Sequence, residues 1–409
     1  MACSKFCSST PKQKKELIMK ELNSRFNFTK ESENKLLVTS AIGAIMMIAG
    51  IFISPSQTYP HILIAMNYIF GLSLGALTLI AILYASNAGW GAVIKRVPEA
   101  MTKGILIGIG LLILVFMGLH NLYEWSHVEV VKNDLLLQKK TWWLNEKYFI
   151  IRNIIFVLAW YFFARQITKN SILQDETGEI NLTKKNKFLS VVFVIFFAFT
   201  GSLASFDWLM SLEPHWYSTI FGLYNLTGIL VSSLAAVIII TIYFRRNRVL
   251  EDYVTKSHLH DLAKLTFGFA TFWMYLFFSQ YLLIWYANIP EEVGYLIKRE
   301  NGSWGIFTVI SILFNWVIPF LVLLPRKMKK NEGVLLRVAT ILLIGRWIDL
   351  FWMVIPPFSP TTPQLTIWSF GPMLFSVPLF FWLTFKTFAK SNAIPKKDPM
   401  LVESLHYHS

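Results

Sequence analysis

The sequence predicts an all-α protein that crosses a membrane many times, and three observations support this prediction. Of its 409 residues, 55% are hydrophobic and only 15% are charged, which is more apolar surface than a water-soluble core can bury. Ten apolar segments are long enough to span a bilayer as helices, which takes about 17 to 25 residues. None of them alternates with the period of two residues that a barrel strand requires, so the segments should be helices.

The ten segments give the chain a simple organisation. A basic N-terminal segment, 1–35, precedes an integral membrane domain, 36–390, and a short tail, 391–409, follows it. The predicted spans are 36–54, 62–86, 104–120, 149–164, 188–209, 220–244, 265–286, 304–325, 334–355 and 365–386.

Basic residues are distributed unequally about these spans. Twenty-nine Lys and Arg lie in the segments on the side of the two termini, and six lie in the loops on the opposite side. Because cytoplasmic loops carry the excess of Lys and Arg, both termini are predicted to be cytoplasmic. The net charge of +14 is thereby explained without nucleic acid as a partner. Cys3 and Cys7 fit neither a lipoprotein signal nor a disulfide framework, and no cleavable signal peptide is visible.

A faint repeat relates two of the spans. The fifth span ends in DWLMSLEP (207–214) and the ninth ends in DLFWMVIP (349–356), each with an aspartate seven residues before a proline. The repeat favours two related four-helix bundles, spans two to five and six to nine, with spans one and ten outside them. The alternative to an internal duplication is that Asp, Trp and Pro recur by chance where spans leave the membrane.

Polar residues gather at one predicted end of the spans, the extracytoplasmic one, and no comparable group is expected at the other end. Ionisable groups are costly near hydrocarbon and are usually kept there for proton or ligand chemistry. The candidates for quinol or proton handling are Asp207, Glu213, His215, Arg346, Asp349, Gln280, His120, Glu124 and Arg152, with Trp208, Trp216 and Trp352 as aromatic lining.

Each candidate also has a purely structural interpretation. Arg346 and Asp349 share a helix face and could be a buried ion pair that holds helices together. His120 and His215 could simply form hydrogen bonds at the membrane interface. A group of such residues on several spans at similar depth favours a pocket that faces outward and is accessible to water or ligand.

Missing motifs narrow the chemistry. All eight histidines are expected in a loop, a tail or the last turn of a span, so a haem held by two histidines inside helices is not predicted. With two N-terminal cysteines in a C-x3-C spacing, iron–sulfur ligation by this chain is not expected, no metal site is predicted, and no nucleotide-binding glycine motif appears. Any redox cofactor should therefore belong to a partner.

At these residues the sequence resembles a known family. The segments SFDWLMSLEPHWYSTIFGLYNL (205–226), HNLYEW (120–125) and GRWIDLFWMVIPP (345–357) are similar to the second large integral membrane subunit of bacterial alternative complex III, a quinol:cytochrome c oxidoreductase. The resemblance extends over about 36–390. That family is related to polysulfide-reductase-type membrane subunits, which are built from paired four-helix bundles.

The resemblance implies a role and partners. It implies a subunit of the bacterial cytoplasmic membrane that has no redox cofactor of its own and is associated with menaquinol or quinone and with phospholipid. Its partners would be a paralogous quinol-binding membrane subunit, extracytoplasmic iron–sulfur and haem c subunits, and a terminal oxidase. Since the paralogue holds the better-assigned quinol site, this chain could instead conduct protons or serve as a scaffold.

Two other classes of function stay open. A secondary transporter would also have about ten spans, but it usually breaks its helices at the bilayer midplane, whereas the polar residues here lie at one end. An assembly scaffold without a site of its own is the other alternative. Oxidation of a quinol releases protons, so a quinol site needs proton acceptors such as acids or a histidine near the quinol hydroxyls. Asp349 in particular is a candidate proton carrier.

Overall fold

A computed structural model describes residues 26–408, and within that range every regular element is helical. Cys3 and Cys7 and most of the basic N-terminal segment lie outside the described residues. The long helices are α1 (Lys30–Ile53), α2 (Pro55–Ala85), α3 (Arg96–Met117), α4 (Glu146–Thr177), α5 (Ile180–Trp208), α6 (Ile220–Arg246), α7 (Lys256–Ala287), α8 (Trp304–Leu323), α9 (Glu332–Val354) and α10 (Ile367–Ala389).

Nine of these helices in the described part of the chain are long and apolar enough to cross a membrane. The remaining one, α9, is long enough with 23 residues, but it carries the charged residues Arg337, Arg346 and Asp349, which is more charge than the other helices have in their apolar stretches. The prediction of an all-α, multi-pass membrane protein is confirmed.

Helices α2 and α6 form the centre of the molecule and are buried along most of their length. They pack directly against each other, and Gly75 lies where a Cβ atom would collide with Ser233 of α6. The other long helices surround this pair. Their outward faces carry exposed apolar side chains such as Phe52, Phe199 and Tyr286, as lipid-facing helices do.

The helices around the central pair have a regular arrangement. Helices α3 and α5 pack on α2, and α4 packs on α5. Likewise α7 and α9 pack on α6, and α8 packs on α9. Helices α1 and α10 form an antiparallel pair at the side, and α10 also packs on α2 and on the start of α3. An internal duplication stays a prediction, because the arrangement of neighbours carries no information about ancestry.

The two ends of the bundle are named here after residues that they contain. The Asp207 end holds the last turns of α1, α3, α5, α7 and α9 and the first turns of the other helices. The Lys95 end holds the opposite termini, and the C-terminal segment packs there, with helix Leu401–Leu405 against the 3-10 helix Gly89–Ile94.

The Lys95 end contains buried ion pairs. Lys95 pairs with Asp398 of the C-terminal segment, and Arg96 pairs with Glu99 at 2.5 Å and with Asp175 at 2.6 Å. This group lies outside the predicted spans, so it does not contradict the expectation that the cytoplasmic half of the spans has no comparable group. Helices α3 and α4 extend past the apolar runs 104–120 and 149–164, and the buried charges lie in these extensions or in the tail.

Three histidines differ from their expected positions. His61 lies in the second turn of α2, and His258 and His260 lie in the first turns of α7, and all three are buried. The reason is again helix length: α2 and α7 begin several residues before the apolar runs 62–86 and 265–286. The expectation that every histidine lies in a loop, a tail or a last turn is wrong for these three.

Candidate functional site

Asp207 lies in the last turn of α5 and is fully buried. Arg152, in the second turn of α4, donates from Nε to Oδ2 and from Nη2 to Oδ1, each over 2.7 Å. Trp143 Nε1 donates to Oδ1 over 3.0 Å, and Asn153 Nδ2 donates to Oδ2 over 3.3 Å. A carboxylate has about four acceptor sites, so the Asp207 carboxylate is fully occupied by its neighbours.

Trp143 is a residue of this site that the sequence analysis missed. It lies in the turn before α4, and its ring is 3.9 Å from the guanidinium carbon of Arg152. A cation over an indole ring is attracted to it, so Trp143 orients Arg152 while its N–H binds Asp207. The available signal in the sequence was the pair Trp142–Trp143 next to a predicted span. Such a pair looks like the interface tryptophans that flank many spans, so it did not indicate a site.

Arg346 and Asp349 form a second ion pair, 2.6 Å from Nη1 to Oδ2, on one face of α9. The Tyr224 hydroxyl donates to Asp349 Oδ1, and Arg346 donates from Nη2 to the side-chain oxygen Oδ1 of Asn225. A Cβ atom at Gly228 would overlap the Arg346 guanidinium, so a glycine is needed at this point of α6. Both charges are thus enclosed between α6 and α9.

Glu213 is the centre of a third cluster, in the connection between α5 and α6. Its Oε2 lies 2.9 Å from Lys298 Nζ, and its Oε1 lies 2.7 Å from Arg299 Nη1. Both basic residues belong to the amphipathic helix Pro290–Glu300. Arg299 also donates to the main-chain oxygens of Trp352 and Met353, and so it joins this helix to the end of α9.

Two of the predicted aromatic residues belong to the same cluster. Trp216 stacks on Tyr295 with ring centroids 3.7 Å apart, and Trp352 meets Tyr295 edge-on at 6.2 Å. Trp208 lies elsewhere. Its N–H donates to Asn153 over 2.6 Å and its ring stacks on Phe70, so it is part of the interior between α2, α4 and α5.

Four other candidates surround these clusters. His120 is exposed, 3.3 Å from Glu146, and Glu124 is exposed as well. His215 is exposed and lies 2.9 Å from Asp134. Gln280 of α7 is buried and lies 3.5 Å from the Ser218 hydroxyl. All nine predicted polar residues therefore lie at the Asp207 end, but not in one pocket: five are in three separate ion-pair clusters, Gln280 is buried apart from them, and the other three are on the surface.

A cavity of about 480 Å³ lies beside the Asp207 cluster, and it is called the tryptophan cavity here. It lies between the segment before α4, the end of α5 and the connection that follows α5. Its walls are almost entirely apolar, with Lys140 and Ser211 as the polar exceptions. It is lined by Leu136, Lys140, Trp142, Trp143, Leu144, Leu203, Phe206, Met210, Ser211, Pro214, Trp216 and Tyr217.

The tryptophan cavity shares a residue with the Asp207 ion pair. Trp143 forms part of its wall and binds the buried carboxylate through its indole N–H. Lys140 donates to the Pro214 carbonyl over 2.6 Å and so closes one side. A flat apolar ring of one or two six-membered cycles fits such a volume, and Trp143 would separate it from Asp207.

Within residues 26–408, no group of three His, Cys, Asp or Glu side chains could hold a metal ion. No protein-family model matches the chain, and a comparison with characterised proteins finds no similar sequence.

The Glu213 cluster should respond to acid. Although burial alone would favour the neutral carboxyl, the charges of Arg299 and Lys298 hold the pKa of Glu213 below its ordinary value. A lowered pKa stabilises the folded state above the ordinary carboxyl range, and this contribution is lost as pH falls through the lowered value. We expect an acid-induced change in the near-ultraviolet circular dichroism of the Trp216–Tyr295 stack. Glu213→Gln should remove that step, and an identical acid titration in the variant would contradict the prediction.

Proposed function

We propose that this chain is a membrane subunit of a quinol:cytochrome c oxidoreductase of the alternative complex III type. The Asp207 end would face outward from the bacterial cytoplasmic membrane. This orientation is favoured because 29 Lys and Arg lie on the side of the Lys95 end, and basic residues are in excess on the cytoplasmic side. The resemblance of segments 120–125, 205–226 and 345–357 supports the family. The observation that carries the proposal is the tryptophan cavity, because only the Trp143 side chain lies between this apolar, aromatic-walled space and a buried acid.

The chemistry of a quinol matches this arrangement. Oxidising a quinol to the quinone releases two electrons and two protons, and the electrons would pass to iron–sulfur and haem c groups of partner subunits. The ring would lie against Trp143 and Trp216, and its isoprenoid tail would follow the lipid-facing side of α5 past Leu203 and Phe206. One quinol hydroxyl would displace the indole N–H of Trp143 from Asp207 and deliver a proton towards the surface acids.

The partners of such a subunit would dock at the Asp207 end. The surface there carries the helix Pro290–Glu300 and the two short helices Val128–Asn133 and Leu135–Lys140, which lie outside the spans. A paralogous membrane subunit and extracytoplasmic redox subunits would contact this face. Phospholipid would cover the exposed apolar side chains of the outer helices.

An assembly scaffold without a site of its own is the second candidate. The observation that favours it is the complete pairing of the buried acids: Asp207 accepts hydrogen bonds from Arg152, Trp143 and Asn153, and Asp349 binds Arg346 and Tyr224. Such pairs hold helices together without any ligand. The two candidates differ in whether a quinol binds this chain.

Co-purification from native membranes tests the class of the protein. An affinity tag on the C-terminal tail should bring down haem c and iron–sulfur proteins together with this chain, and the preparation should reduce cytochrome c with menaquinol. Isolation of the chain without redox-active partners would contradict the proposal.

Filling the tryptophan cavity tests the site itself. Met210→Trp adds a ring to the cavity wall and should lower menaquinol-dependent cytochrome c reduction at least tenfold, with the complex still assembled. The matched control is Phe199→Trp, since Phe199 lies on the preceding helix α5 but is 71% exposed. Equal turnover in both assembled variants would leave the scaffold as the better interpretation.

A further inference from the structure

A second cavity at the Asp207 end lies apart from the three ion-pair clusters. It has a volume of about 260 Å³ and lies between the first two turns of α2 and the segment that joins α9 to α10. This space is called the His61 cavity here. It shares no lining residue with the tryptophan cavity, and Gln57, Pro60, His61, Phe358, Ser359 and Gln364 contribute to its wall.

His61 lines this cavity and has an unpaired ring nitrogen. The side chain is 3% exposed, and its Nδ1 lies 2.7 Å from the main-chain oxygen of Gln57. A carbonyl oxygen only accepts, so Nδ1 carries the hydrogen of the neutral ring. Nε2 is then an acceptor, and it has no hydrogen-bond partner among residues 26–408. A buried polar atom without a partner is unfavourable, and a ligand that donates a hydrogen bond would remove that cost.

The wall of the cavity restricts the charge and size of such a ligand. No Asp, Glu, Lys or Arg of the described chain lines it, so neither an anion nor a cation would find a counter-charge. Its volume equals that of roughly eight or nine water molecules at about 30 Å³ each, which suits a single ring or a small head group. Pro60, Ile355 and Phe358 offer apolar contacts, and the amides of Gln57 and Gln364 offer polar ones.

The position of the cavity indicates where the ligand comes from. His61 lies six residues from the start of α2, which is about 9 Å along the helix axis. Helices α1 and α2 are joined at this end, and α9 and α10 are joined there too. A site at that depth lies within reach of the head groups of molecules dissolved in the bilayer.

We propose that the His61 cavity binds a neutral, hydroxyl-bearing head group from the membrane, with one O–H donating to His61 Nε2. Two sources share this chemistry: the ring of a quinol and the sugar of a neutral glycolipid. The proposal stands on the cavity and on His61 and does not depend on the function proposed above.

Native mass spectrometry of the full-length protein tests it, in lauryldimethylamine oxide, a detergent without hydroxyl groups. The probes are menadiol, menadiol dimethyl ether, which lacks the O–H donors, and monoglucosyldiacylglycerol. We expect one of the two hydroxylated probes to bind and the dimethyl ether to bind at least tenfold more weakly than menadiol. Binding of menadiol identifies a quinol site, and binding of the glycolipid alone identifies a lipid site.

Variants assign the binding to the cavity. His61→Phe keeps a ring but removes the acceptor, and it should weaken the bound probe at least tenfold. His127→Phe, at an exposed histidine of the same end that belongs to neither cavity, is the matched control and should bind like the original protein. Phe358→Trp narrows the cavity from the opposite wall and should also weaken binding of the probe. It replaces His61→Phe as the test if His61→Phe fails to fold. An affinity for the bound probe that is unchanged in both His61→Phe and Phe358→Trp would overturn the proposal. Measurable binding of menadiol that its dimethyl ether equals, or binding of neither hydroxylated probe, would overturn it as well.

Discussion

Replacing Arg152 with methionine is expected to destabilise the protein by about 3 to 5 kcal/mol, because it leaves the Asp207 carboxylate buried without a counter-charge. Trp143 and Asn153 would still donate hydrogen bonds to that carboxylate, but neither of them supplies a positive charge. The loss should appear as a lower yield of monodisperse protein in fluorescence-detected size-exclusion chromatography and as a lower temperature of half-denaturation.

Two controls separate the ion pair from general damage. Arg337→Met removes an exposed arginine from α9 and should change neither yield nor thermal stability appreciably. The double variant Arg152→Met with Asp207→Leu removes both charges and should recover much of the lost stability, since apolar pairs often replace buried ion pairs at little cost. Full stability of Arg152→Met alone would show that Asp207 does not need its partner.

The helical architecture could be predicted because the bilayer imposes it on the sequence. An apolar run of spanning length has to be a helix, so segments such as 220–244 correspond closely to Ile220–Arg246. The ends of helices were less predictable. Polar residues such as Lys169 and Lys184 extend α4 and α5 beyond their apolar runs, since a helix continues into the aqueous region where hydropathy carries no signal.

The members of the candidate site could be predicted individually, but their partners could not. Asp207 and Arg152 are each conspicuous as charges in apolar segments, yet 55 residues separate them, and only packing shows that they pair. Arg299 looks like an ordinary loop residue, although it is 1% exposed and binds Glu213. His61 precedes its apolar run by one residue and was therefore expected in a loop. Contacts between distant helices have no local pattern in the sequence.

The separation of the site into three clusters changes how the candidates work together. Asp207 adjoins a cavity, whereas Asp349 is enclosed by Arg346, Tyr224 and neighbouring helices. The two aspartates occupy related positions in the faint repeat, yet one lies beside a cavity and the other is enclosed by side chains. We therefore expect ligand-dependent effects at Asp207 and mainly stability effects at Asp349.

Asp349→Asn is expected to lower the amount of assembled protein, because it leaves Arg346 as an unpaired charge between α6 and α9. Asp349 has no exposed surface and the Arg346 side chain is 2% exposed, so water cannot replace the lost carboxylate. Breaking a buried pair typically costs about 3 to 5 kcal/mol. The measurement is the yield and thermal stability of the purified complex, with menaquinol-dependent cytochrome c reduction and proton release measured in vesicles.

The neighbouring Tyr224 supplies the matched comparison. Tyr224→Phe removes one hydroxyl donor to the Asp349 carboxylate but keeps the ion pair, and it should cost less, about 1.5 to 3 kcal/mol. Arg346→Met combined with Asp349→Leu should be more stable than Asp349→Asn, since no charge is then left unpaired. Normal assembly of Asp349→Asn with slower quinol oxidation or proton release would instead support the hypothesis that Asp349 carries protons, and it would show that the enclosure of this pair by α6 and α9 opens during turnover.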